Sequence, residues 1–236
     1  MLWKIFLATF SFLVSPFRAP TEIPYVATPT GPQNWNEALK AMEALHGPGD
    51  DMRFGPDQPS WKKMVEPVFK KAAAQYAKNT CIRFVERTTQ TAYVFVINDM
   101  GKCYSYLGRQ GKRQTMSLGD GCLFTGTVVH EMGHALSFCH EHQRSDRDKY
   151  LNVYEKNVIQ GERHNFYKYN ASEEAFRQKY DYASIMHYGE YAFSKIPGSL
   201  KTMEAKNGTP LKEPFDRPGL NQNDIDMINK LYKCKI

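Results

Sequence analysis

Residues 130–140 read His-Glu-Met-Gly-His-Ala-Leu-Ser-Phe-Cys-His. From Thr125 to Phe138 the pattern is helical, and on a helix the two histidines four positions apart, His130 and His134, project from one face and can share a cation. His140 supplies a third nitrogen if the helix ends around Leu136 to Phe138 and the chain turns back. Three protein ligands leave a fourth position for water, which separates a catalytic zinc site from a closed structural one, and nitrogen donors suit zinc. One zinc ion per chain is therefore the expected cofactor. Glu131, beside His130, is the expected general base: its carboxylate can take a proton from water during attack on a carbonyl and hand it to the leaving amine. A single histidine here would read as an ordinary surface or hydrogen-bonded core residue. Three at this spacing, with the glutamate, point to hydrolysis of peptide bonds.

Upstream of this run, Ile82 to Arg87 and Ala92 to Ile97 are rich in β-branched and aromatic residues, and Tyr104 to Leu107 and Gln114 to Leu118 flank a glycine-bearing turn. These segments predict a small twisted sheet. Val65, Phe69, Ala72 and Tyr76 fall at helical spacing before it, with Pro67 expected in the first turn of that helix or at a kink. Downstream, aromatics recur between polar residues without strand alternation to about Tyr182. Asn221 then caps a helix whose Ile225, Ile228, Leu231 and Tyr232 share a face.

Eight of the thirteen prolines lie in the first sixty residues, which marks that region as irregular and sets the one plausible boundary near residue 60. Inside it, Asn34 and Glu37 form a capping-box pattern ahead of a short amphipathic stripe ending at Gly47-Pro48. Lys4 followed by the apolar stretch Ile5 to Val14, too short to span a bilayer, reads as a signal peptide over residues 1–18, with a buried strand or helix as the alternative. Residues 19–60 are then a prosegment or an N-terminal insertion, and 61–236 the catalytic domain. Five cysteines are compatible with two disulfides and one thiol in an oxidising compartment. Asn170-Ala-Ser172 and Asn207-Gly-Thr209 fit the glycosylation pattern and lean the same way. The net charge of +6 comes from scattered residues, so no nucleic acid partner and no membrane span are expected. The expected location is secreted and extracellular, with protein or peptide substrates.

The run from His130 to His140, followed by Glu141, Arg144, Asp146, Arg147 and Asp148, resembles the extended zinc signature of the astacin metalloproteases, within the metzincins. Ser184-Ile-Met-His-Tyr188 resembles their Met-turn. Cys81-Ile-Arg-Phe84, Cys103-Tyr-Ser-Tyr-Leu-Gly108, Ser117-Leu-Gly-Asp-Gly-Cys122, Tyr191-Ala-Phe-Ser194 and Leu231-Tyr-Lys-Cys234 extend the resemblance over roughly residues 61 to 236. It implies an α+β, two-lobed catalytic domain: a twisted, mostly antiparallel-edged sheet with the zinc helix above a cleft, and an irregular lower lobe ending in a C-terminal helix. By the same resemblance Tyr188 stabilises the oxyanion, Met186 underlies the zinc, Glu141 contacts the mature N-terminus, Cys81 pairs with Cys234 and Cys103 with Cys122.

Three features depart from the family pattern. Ser137 stands where the motif has glycine, at a sharp turn that glycine tolerates best; a serine there costs about 1 kcal/mol or displaces His140. Cys139 is the cysteine left over, expected as a buried thiol. Ile23-Pro-Tyr-Val26 resembles the family's first strand, while Phe54-Gly-Pro-Asp57 resembles its inhibitory prosegment motif, and the two assign residues 19–60 differently. The leading function is an active secreted zinc endopeptidase; the alternative is a secreted binding protein on the same zinc fold, catalytically impaired through Ser137 or Cys139.

Overall fold

The computed structural model describes residues 2–6, 58–99, 101–170 and 178–235. The helix expected after Asn34 and both assignments of residues 19–57 lie outside these. Helix α1 (Gln58–Asn79) buries Val65, Phe69, Ala72 and Tyr76 along one stripe, as their spacing requires. It runs through Pro67 in place of starting there: the ring removes one backbone donor, and the helix is held from outside by tertiary bonds. Trp61 Nε1 donates to the Leu118 carbonyl at 2.8 Å and the Tyr76 hydroxyl to the Val129 carbonyl at 2.7 Å.

The sheet contains β1 (Leu2–Phe6), β2 (Arg83–Glu86), β3 (Tyr93–Ile97), β4 (Cys103–Ser105) and β5 (Arg113–Leu118) in the order β2-β1-β3-β5-β4. β1 lies antiparallel to both β2 and β3, β4 is antiparallel to β5, and β3 and β5 are parallel. The antiparallel pairs thus flank a parallel centre. Leu2–Phe6, read from the sequence as the start of a signal peptide, is here a strand between β2 and β3. Helix α2 (Thr125–Ala135) lies against the sheet and α1; ten of its eleven residues are buried, which explains why its apolar pattern shows no solvent face.

Past residue 140 the described residues form mostly single helical turns, with one short antiparallel pair, β6 (Leu151–Val153) and β7 (Met203–Ala205). The described apolar residues divide into two cores. One gathers α1, the sheet, α2, Ile185, Met186 and Ile228; the other gathers Leu151, Val158, Phe166, Tyr180, Tyr188, Met203 and Leu211. These are the two lobes. Helix α3 (Gln222–Leu231) ends the lower stretch of chain and packs back on the first core through Ile228. Cys81–Cys234 closes a loop of 153 residues and Cys103–Cys122 one of 19. In the chain-entropy account these contribute about 5 and about 3 kcal/mol.

Asp224, at the third position of α3, accepts from the Asn221 and Ile185 backbone N–H groups, both at 3.0 Å, and from the Ser184 hydroxyl at 2.7 Å. One carboxylate therefore caps α3 and anchors the 184–188 turn. Burial raises its pKa from 3.8 to about 6. A carboxyl raised in the fold binds its proton more tightly folded than unfolded, so its stabilisation is full below about pH 4 and is lost as pH rises through 6. Asp224→Asn removes an acceptor and this titration together. The variant is expected to lose about 2 kcal/mol in urea unfolding at pH 4.5 and less at pH 7.

Candidate metal centre

Helix α2 carries His130 and His134 one turn apart. It stops at Ala135 because Ser137 takes the left-handed conformation, φ 73°. The turn is stitched by the His134 carbonyl, which accepts from Ser137 N–H at 2.8 Å and from Gly108 N–H at 2.7 Å. Gly108 has φ +70°, and a Cβ there would lie 2.6 Å from the Ser137 hydroxyl, so glycine is required opposite the serine. Ser137 absorbs the strain without displacing His140. The expected choice between strain and displacement resolves to strain.

The three histidine Nε2 atoms converge: 3.0 Å separates His130 from His134, and 3.1 Å separates His140 from each. Each Nδ1 faces an oxygen that can only accept: the Ile185 carbonyl for His130 at 2.8 Å, the Phe138 carbonyl for His134 at 2.7 Å, and Gln143 Oε1 for His140 at 2.9 Å. Every Nδ1 therefore carries the proton, and three Nε2 lone pairs face one point. Burial lowers the pKa of all three, His130 to about 4 and His140 to about 3, so the rings are neutral at physiological pH. Three converging neutral imidazoles repel each other unless a cation sits between them. These are the requirements of a zinc ligand set, and the three are a group able to hold a metal ion.

Glu131 is 1% exposed, its Oε2 has no hydrogen-bond partner, and burial pushes its pKa up. Tyr188 is buried, its ring 4.4 Å from that of His140 and stacked 4.5 Å above His142; burial holds it as a phenol. Met186 lies under α2, its sulfur where a Cβ on Gly133 would come within 2.8 Å, and its carbonyl accepts from Glu141 N–H at 3.0 Å. His130, His134, His140 and Tyr188 thus lie around one centre, and Glu131 is buried on α2 next to the first of them in the chain. Glu141 pairs with Arg144 at 2.8 Å and accepts from Asp181 N–H at 2.9 Å, and burial raises it to about 7. Cys139 belongs to neither disulfide and is half-buried. Lys195 is exposed and donates to the Lys156 carbonyl.

Sequence reasoning missed Gln143 and the carbonyls of Phe138 and Ile185. Backbone carbonyls leave no mark on residue type, and a glutamine three residues after a ligand carries no signal by itself.

Two lobes joined at a buried three-histidine centre with an adjacent unpaired carboxylate define the class of metalloproteins that hold a hydrolytic zinc. The chain belongs to the astacin family of peptidases, whose pattern matches residues 58–233. It is 42% identical over 176 residues to "Astacin-like metalloprotease toxin 1" of Loxosceles intermedia, covering 73% of this chain and 66% of that protein. To "Zinc metalloproteinase nas-12" of Caenorhabditis elegans it is 37% identical over 179 residues, covering 75% and 46%. The chain thus spans less than two thirds of these relatives. Among solved structures, "High choriolytic enzyme 1", a hatching enzyme zinc-protease from Oryzias latipes, superposes with a TM-score of 0.67 at 37% identity, over 72% of this chain and 84% of that one. The site, strands β2 to β5 and the Cys103–Cys122 disulfide fall within residues 58–233, whereas Leu2–Phe6 and Cys234 lie outside them.

Replacing Ser137 by glycine should raise the unfolding free energy by about 1 kcal/mol, since it relieves the left-handed strain. Denaturant unfolding measures this, and an unchanged zinc content would show that His140 already reaches the site.

Proposed function

We propose that this domain is a zinc-dependent endopeptidase acting on extracellular protein or peptide chains. The observation that carries this reading is the convergence of three unprotonated imidazole nitrogens beside the buried, unpartnered Glu131 carboxylate. His130, His134 and His140 would hold the zinc, which when bound supplies Lewis acidity and lowers the pKa of a water from 15.7 to about 7.

Glu131 takes the proton of the attacking water and returns it to the leaving amine, and its raised pKa makes it a stronger base for the first transfer. Tyr188, kept protonated by burial, donates its O–H to the oxyanion of the tetrahedral species. The packing of its ring against His140 and His142 sets where that donor can go. Against the impaired-binding alternative, the leading reading is supported by His140 Nε2 lying 3.1 Å from both of its partners with Ser137 in the chain.

Export is supported by the two disulfides and by relatives whose names mark them as a toxin and a hatching enzyme. Among the described residues no helix is long and apolar enough to cross a membrane. Removal of residues 1–18 as a signal peptide would take β1 with it, so that cleavage and the β1 pairing are alternative states of the same residues.

Purified, zinc-quantified protein should cleave a denatured polypeptide, and a chelator should abolish the activity. Glu131→Ala should reduce kcat by about 10²–10⁴-fold, and Tyr188→Phe by about 10²-fold with little change in KM. Stoichiometric zinc with no cleavage by the wild type would instead establish a binding protein. N-terminal sequencing of protein recovered from the medium should begin at or beyond residue 19; an intact Met1 would assign Leu2–Phe6 to the folded sheet.

A further inference from the structure

His130 and His134 are oriented by backbone carbonyls, which no substitution can remove, whereas His140 is oriented by a side chain. That side chain, Gln143, is 3% exposed. Its Oε1 accepts from His140 Nδ1 at 2.9 Å and from the Tyr169 hydroxyl at 2.9 Å, while its Nε2 donates to the Tyr167 carbonyl at 3.1 Å. The Tyr167 carbonyl can only accept, so it fixes the amide nitrogen on its own side and turns Oε1 toward His140. An oxygen there forces the proton onto His140 Nδ1 and leaves the Nε2 lone pair for the metal. The Gln143 carbonyl also accepts from Tyr169 N–H at 2.8 Å. One residue thus binds the third ligand and the 167–169 segment of the lower lobe at once.

We propose that Gln143 is a positioning residue that sets the tautomer of His140 and couples metal affinity to the seating of residues 167–169. By linkage the coupling is reciprocal: zinc protects the segment, and the seated segment tightens zinc binding. The inference rests on the triad holding zinc.

Competition against a chromophoric chelator gives the zinc affinity of the wild type, Gln143→Leu, Gln143→Glu and Tyr169→Phe. Hydrogen exchange at 167–169, with and without zinc, reads the segment. Zinc is expected to increase protection there in the wild type. Gln143→Leu should bind zinc about 10–100-fold more weakly and lose the zinc-dependent protection. Gln143→Glu keeps an oxygen for His140 and should recover most of the affinity, but it cannot donate to the Tyr167 carbonyl, so the protection should stay low. A merely structural role would not separate the two readouts in this way. If Gln143→Leu fails to fold, Tyr169→Phe carries the test, with a smaller loss of affinity and of protection expected. A folded Gln143→Leu, or failing that a Tyr169→Phe, with wild-type affinity and protection overturns the coupling. A wild type that takes up no zinc overturns the metal reading and this inference together.

Discussion

Three lone pairs held within 3.1 Å of one another are the constraint on which the rest of the structure depends. Without a cation the arrangement is repulsive, so it persists only because each ring is fixed from behind by an acceptor and buried on its flanks. The acceptors come from three different places: the turn at Ile185, the turn that follows α2 at Phe138, and Gln143. The fold can be understood as the means of bringing these three to one point. Helix α2 sets two of the ligands, the left-handed residue at 137 returns the third, and the 184–188 turn closes the site from below.

That turn is also the joint between the lobes. Ile185 and Met186 belong to the first core and Tyr188 to the second, so a stretch of four residues spans both. Asp224 holds the turn from α3, and the Met186 carbonyl holds the segment after His140. An irregular lower lobe suits this task, since single turns pinned by buried polar contacts can place isolated side chains where a long helix would impose its own period. Arg147 illustrates the device, donating one guanidinium nitrogen to the carbonyls of both His142 and Phe166. The lower lobe is thus held by satisfied backbone carbonyls as much as by apolar contact.

Ser137 shows how a departure from a motif is absorbed. A side chain at positive φ costs strain, and here its hydroxyl lies over Gly108, a residue without a Cβ. The cost is local. The third ligand is undisturbed, because the position of His140 is set downstream by Gln143 and by the Glu141 N–H bond to Met186.

Much of the site was legible in the chain itself. Histidines at i and i+4 share a helix face whatever surrounds them, so the ligand pair and Glu131 follow from periodicity, as do the buried stripe of α1 and the cap at Asn221. Residue type alone could not show that α1 continues through Pro67, since the compensating bonds come from Trp61 and Tyr76 to distant carbonyls. Nor could it assign Leu2–Phe6, where one apolar stretch serves equally as a leader or a strand. The ring orientations and the seat of Tyr188 were decided by tertiary structure alone. They depend on backbone carbonyls, which every residue carries alike, and on a glutamine whose role exists only because folding brings Tyr167 and Tyr169 against it.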